Sequence, residues 1–121
     1  MNKKIGLKKE EQKIIINVLK KFPGVEQALI FGSRALGNFK PGSDVDLVLK
    51  GKVEEIYLDI KSILNEETML PYNFDVLVYK NIRNKKLKDH INNYGKVIYN
   101  PKVSRKVKFI SGGKNQISKV L

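Results

Sequence analysis

The sequence contains no cysteine and only one histidine in 121 residues. Disulfide scaffolds and thiolate metal sites are therefore excluded, and so is a histidine-rich metal cluster. No apolar run approaches the ~20 residues that a membrane-spanning helix needs. The basic start, Met1-Asn2-Lys3-Lys4, lacks the apolar stretch that would follow it in a signal peptide, so a cytoplasmic location is expected. There is no internal repeat. Acidic residues are absent from the last 21 positions, which carry six bases.

The remaining composition is that of one ordinary globular domain, with a hydrophobic fraction of 41%. The balance of 24 Lys and Arg against 12 Asp and Glu gives a net charge of +12. Such a charge favours anionic partners, namely nucleotides, nucleic acid or an acidic protein. Most surface lysines nevertheless serve only to solvate the fold, so charge alone names no partner.

Hydrophobic spacing supplies the element order. Ile14, Ile15, Val18 and Leu19 form one face of a helix over 10–21, ended by Pro23-Gly24. Residues 25–31 read as a strand entering the core. Gly32-Ser33 breaks it, and 34–43 make a helical turn and a loop. Residues 44–49 read as a strand buried on both faces at its far end. Val53, Ile56, Tyr57, Ile60, Ile63 and Leu64 predict a helix over 53–66. Residues 73–79 form a third strand. Leu87, Ile91 and Tyr94 stripe a further helix closed by Gly95, and 96–99 make a short strand. This order predicts a small α/β (α+β) sandwich around a mixed sheet with flanking helices. Residues 1–100 form the domain, and 101–121 form a basic extension whose role the sequence leaves open.

Chemistry concentrates between Phe31 and Leu47, in F-G-S-R-A-L-G-N-F-K-P-G-S-D-V-D-L. Gly32 lets backbone approach a ligand closely. Ser33 places a hydroxyl beside the free N–H groups of a helix start, a setting suited to phosphate oxygens. Arg34 and Lys40 offer charge to the same anion. Asp44 and Asp46, two residues apart on a strand, share one face. Adjacent carboxylates repel unless a cation lies between them, and hard oxygen donors suit Mg²⁺. Asp75 reaches the same cluster if the third strand neighbours the second. Three carboxylates beside a phosphate-cradling turn describe two-metal phosphoryl transfer. Alone, Gly-Ser is more often a plain turn, Asp44 and Asp46 are as readily solvated loop carboxylates, and Asp75 is more often an exposed strand residue. The combination and its order carry the reading.

Gly32-Ser33, ten residues, then Asp44-Val45-Asp46 resembles the signature of the DNA polymerase β-like nucleotidyltransferases, and the full stretch looks like the minimal nucleotidyltransferase family. The resemblance runs over roughly residues 7 to 100, through L-P-Y-N-F-D-V-L-V-Y-K-N-I and L-K-D-H-I-N-N-Y-G-K-V-I-Y. It implies a palm-like fold. Gly32 and Ser33 would hold the β- and γ-phosphates of an NTP, and Asp44 and Asp46 would bind two Mg²⁺ ions. Asp75 would hold the metal near the acceptor and help deprotonate its hydroxyl. Gly42 and Ser43 would shape the turn before Asp44. Members of this kind pair with a small helical protein of the HEPN or substrate-binding type. In some pairs the partner is an RNase toxin, which the nucleotidyltransferase silences as an antitoxin by adding AMP from ATP to a tyrosine. In others the pair is a two-subunit transferase.

Two other classes compete. A binding module would neutralise its partner by contact alone. A basic RNA-binding domain would use Lys80, Arg83, Lys85, Lys86 and Lys88, although a solvated helix face is the favoured account of them. His90 is given no catalytic role, and Phe39, Tyr72 and Tyr79 are assigned to packing before base stacking. A small sheet also leaves edges that a homo- or hetero-oligomer would cover.

Overall fold

The computed structural model describes residues 5–101. The expectation for the basic extension falls on residues 102–121, which lie outside the described residues. Four helices and four strands follow in the order α1 (Lys9–Lys20), β1 (Val25–Phe31), α2 (Ser33–Leu36), β2 (Val45–Gly51), α3 (Tyr57–Glu66), β3 (Phe74–Val78), α4 (Lys85–Tyr94) and β4 (Lys96–Tyr99). A 3₁₀ turn, Tyr79–Asn81, links β3 to the approach to α4. Among the described residues, no helix is long and apolar enough to cross a membrane.

The strands form one sheet in the order β3-β2-β1-β4. β1 is antiparallel to both β2 and β4, and β2 is parallel to β3. The sheet is thus mixed, as the alternation of elements predicts. Ala28 and Ile30 of β1, Val45, Leu47 and Leu49 of β2, and Phe74, Val76 and Val78 of β3 face one core. Ile15, Val18 and Leu19 of α1 and Ile60 and Leu64 of α3 close that core. Period-2 alternation sends Leu29, Phe31 and Val48 to the opposite face, where Ile91 of α4 covers them. Leu47, Val48 and Leu49 are all fully buried, which is why the far end of β2 reads as an unbroken apolar run.

The third helix begins later than its apolar spacing suggests. Val53 is buried in the core, but residues 53–56 form a turn in which the N–H groups of Ile56 and Tyr57 both donate to the Val53 carbonyl. Ile56 caps α3 without a side-chain hydrogen bond. Apolar spacing reports burial, and here a buried turn shares the helix's inward face.

β3 is an edge strand, and α3 ties it down. The Asn65 side chain accepts a hydrogen bond from the Phe74 N–H at 2.7 Å and donates to the Phe74 carbonyl at 3.0 Å. The side-chain amide thereby replaces the strand that β3 lacks on its outer side. Asn65→Ala leaves both groups without this partner, and a loss of about 1–3 kcal/mol is expected in urea unfolding.

Candidate active site

Register brings the sequence-predicted carboxylates to one end of the sheet. Asp46 of β2 is the Cα partner of Asp75 in the parallel ladder, and of Phe31 in the antiparallel one. In-register neighbours project from the same face of a sheet. Asp46 and Asp75 therefore stand side by side, on the face opposite the main core. Asp44 is exposed and lies one residue ahead of β2 rather than within it. Gly32 follows the last residue of β1, so the glycine turn meets Asp46 directly.

Gly32 takes a conformation that only glycine holds easily, with φ 77° and ψ −149°. A Cβ on it would also collide with the Asp46 carboxylate. The turn and the carboxylate are thus packed against each other, with no room for a side chain between them. Ser33 opens α2, where the Ala35 and Leu36 N–H groups donate to the Gly32 carbonyl and those of Ser33 and Arg34 come too early for an intrahelical partner. Before Asp44, Ser43 N–H donates to the Lys40 carbonyl at 2.9 Å, and Lys40 N–H donates to Ser43 Oγ at 2.8 Å. With Pro41 second and Gly42 at φ 82° third, this is a tight turn of the type II pattern.

Electrostatics mark Asp46. Burial pushes its carboxyl above the usual carboxylate range, the charges of Asp75 and Asp44 push it further, and Arg34 opposes them. The donor set is all oxygen, which fits a hard divalent cation such as Mg²⁺. Among the described residues, the three carboxylates do not by themselves close into a metal-ligand group. Asp75 Oδ1 lies 3.5 Å from Lys61 Nζ, with both side chains about half exposed. Lys61 was missed by sequence reading, because nothing local distinguishes it among 24 bases. It stands four residues before Asn65 on α3, so one helical face holds both Phe74 and Asp75.

Arg34, expected at the anion, is placed elsewhere. Its side chain is 2% exposed, and its guanidinium donates to backbone carbonyls. Nη2 reaches Ser43 O at 2.8 Å, Nε reaches Asp44 O at 3.3 Å, and Nη1 reaches Ile5 O at 2.9 Å and Gly6 O at 3.1 Å. Phe39 and Tyr72 face it from 5.0 and 4.8 Å, a cation–π arrangement. Arg34 therefore fastens the N-terminal segment to the loop that delivers Asp44. This also accounts for Phe39 and Tyr72, whose rings pack on a cation instead of a base. Tyr72 Oη additionally donates to Glu11 at 2.9 Å.

The single histidine is closer to the site than its sequence setting suggests. The Gly32 N–H donates to His90 Nε2 at 2.8 Å. The basic stretch is partly compensated within the chain. Lys80 pairs with Glu54 at 2.7 Å and Lys85 with Asp89 at 3.3 Å, while Lys88 and Lys50 lie over the Tyr79 ring. Three of its five cations thus have a partner within the chain, while the Lys80 and Lys85 side chains stay largely exposed. A cavity of about 290 Å³ opens between Tyr57, Leu77, Ile82 and Leu87, and it contains none of the carboxylates.

The sequence profile described as polymerase beta, nucleotidyltransferase matches residues 13–103. No curated protein matches the sequence. Solved structures of similar fold include a chain of a toxin–antitoxin complex with AMP-PNP. It is 20% identical with a TM-score of 0.61, over 84% of this chain and 85% of that one. A chain of the toxin–antitoxin complex MntA–HepT is 18% identical with a TM-score of 0.59, over 87% and 86%. A chain of the tri-AMPylated Shewanella oneidensis HEPN toxin in complex with MNT antitoxin is 15% identical with a TM-score of 0.51, over 83% and 82%. At such identities the likeness is one of fold.

Arg34→Met should destabilise the fold by more than about 3 kcal/mol in urea unfolding, because it strips charged donors from buried carbonyls. Arg34→Lys should not restore it, since one ammonium cannot span the fork. For Asp46, a raised folded pKa means that folding favours the protonated form. Its contribution is fully present below the unfolded-state pKa and is lost as pH rises through the folded one. At neutral pH without divalent cations, Asp46→Asn should therefore melt above wild type. Added Mg²⁺ should raise the melting temperature of wild type but not of the variant.

Proposed function

The chain belongs to the polymerase beta nucleotidyltransferase family, and on that premise we propose that it transfers AMP from ATP to a hydroxyl of a small helical partner, in the manner of an antitoxin. The observation that carries the reading is the register of Asp46 against Asp75 beside the Gly32–Ser33 turn, with Asp44 two residues upstream. Three acids and an anion-suited turn converge where β1 ends and β2 and β3 begin.

The roles divide as follows. The Ser33 hydroxyl and the free N–H groups at the start of α2 hold the β- and γ-phosphates. Asp44, Asp46 and Asp75 would hold two Mg²⁺ ions, which when bound neutralise phosphate charge and stabilise the attacking and leaving oxygens. Asp75, outermost on β3, faces the incoming acceptor and takes its hydroxyl proton. The acceptor oxygen then bonds to the α-phosphorus, and the bond from that phosphorus to the bridging oxygen breaks. Pyrophosphate leaves with the electron pair. Gly32 keeps the turn close against Asp46. Arg34 lies outside this chemistry and fixes the loop from which Asp44 projects.

A tyrosine of a HEPN-type protein is the acceptor this reading favours. Its support is the similarity of fold to chains from toxin–antitoxin complexes, one of them with an AMPylated toxin.

The test is a transfer assay with α-labelled ATP, Mg²⁺ and a co-expressed HEPN-type partner, beside Asp44→Asn. The expected result is label on the partner that falls by at least about a hundredfold in the variant, as loss of a directly acting group requires. A stable complex without label from any of the four NTPs would favour a module that acts by contact alone.

A further inference from the structure

We propose that His90 is a positioning residue for the nucleotide. By accepting the Gly32 N–H it fixes the turn that carries Ser33. The proposal rests on the reading above, in which this turn takes the triphosphate.

The hydrogen-bond ladder explains why a side chain is needed at Gly32. On one side, pairing of β1 with β2 runs to Phe31 opposite Asp46. On the other, pairing with β4 runs only to Ile30 opposite Lys96. Gly32 lies past both, so its N–H has no strand partner, and α2 begins too late to provide one. A partly buried N–H in that position needs an acceptor. His90 supplies it at 2.8 Å from a point 58 residues along the chain.

The imidazole is itself held in place. The Phe31 ring meets it edge-on at 6.4 Å, and the Tyr94 ring lies 5.7 Å away on the next turn of α4. Ile91, adjacent to it, is anchored among Leu29, Phe31 and Val48. Because Nε2 accepts, the ring is the neutral tautomer with its proton on Nδ1. The acceptor thus has a defined direction, set by the packing of α4 on the sheet.

That direction matters because of what Gly32 does. Glycine adopts φ 77° without strain, but it is also the residue most free to leave that conformation. On one side of it stands the Asp46 carboxylate, close enough to exclude a Cβ. On the other, the next residue is Ser33. A rotation at Gly32 would shift the Ser33 hydroxyl and amide relative to the carboxylates. His90 acts through the Gly32 amide, at the residue that lies between the Asp46 carboxylate and Ser33.

The experiment measures binding of AMP-PNP with Mg²⁺ by calorimetry for wild type, His90→Phe and His90→Gln. It adds ¹⁵N NMR of the imidazole and of the Gly32 amide. Phenylalanine keeps a packing ring and removes the acceptor. Glutamine places an amide oxygen where Nε2 lies. His90→Phe should weaken binding by the folded protein about ten- to a hundredfold, beyond the modest fall in melting temperature that follows from leaving the Gly32 N–H without its acceptor. His90→Gln should recover most of that loss. The wild-type imidazole should carry its proton on Nδ1, with the Gly32 amide protected from exchange in wild type and in the glutamine variant alone. Wild-type affinity in His90→Phe would overturn the inference, as would equal loss in both variants or a proton on Nε2, and each would leave the nucleotide reading standing. Failure of wild type itself to bind would overturn that reading, and this inference with it.

Discussion

Three carboxylates at one end of a small sheet repel one another, and much of the surrounding architecture serves to hold them there. Asp46 carries the conflict most directly, being partly buried and pressed by Asp75 and Asp44. A fold with no use for such a cluster would gain by neutralising one member, since like charges at this spacing disfavour ionisation. On the proposed function, a cation and a nucleotide would complete the charge balance of this cluster.

The supports come from three separate parts of the chain, α2, α3 and α4. Arg34 locks the loop before Asp44 through the Ser43 and Asp44 carbonyls and ties it to Ile5 and Gly6. Asn65 completes the outer edge of β3 next to Asp75, and Lys61 sits beside that carboxylate. His90 receives the amide of Gly32, against which Asp46 packs. Each support acts on backbone or on charge near an acid, and each is anchored by an element that also contributes to a core. The carboxylate end of the sheet is therefore coupled to the packing of α3 on one face and α4 on the other.

The sequence made the fold legible where pattern and burial coincide. Alternation in 73–79 and the apolar run after Asp46 announce strands, and the spacing of Ile14, Ile15, Val18 and Leu19 announces α1. The carboxylates and the glycine turn were legible because their chemistry lies within one stretch and its neighbouring strand. The start of α3 was misplaced because Val53 is buried by a turn, which apolar spacing cannot distinguish from helix. Arg34 was misjudged because the carbonyls of Ile5 and Gly6, almost thirty residues away, meet it only in the folded chain. Lys61, Asn65 and His90 carry no local signal at all. Their importance lies in long-range contacts, and one lysine, asparagine or histidine on a helix looks like any other.

On the proposed function, Asp44, Asp46 and Asp75 act as one cation-holding group with the glycine turn. The most direct measurement is Mn²⁺ titration followed by electron paramagnetic resonance, with and without AMP-PNP, on wild type and Asp75→Asn. The account predicts Mn²⁺ binding that tightens when the nucleotide analogue is present and weakens sharply in the variant. Equal Mn²⁺ affinity in the two proteins, or no response to the analogue, would contradict it.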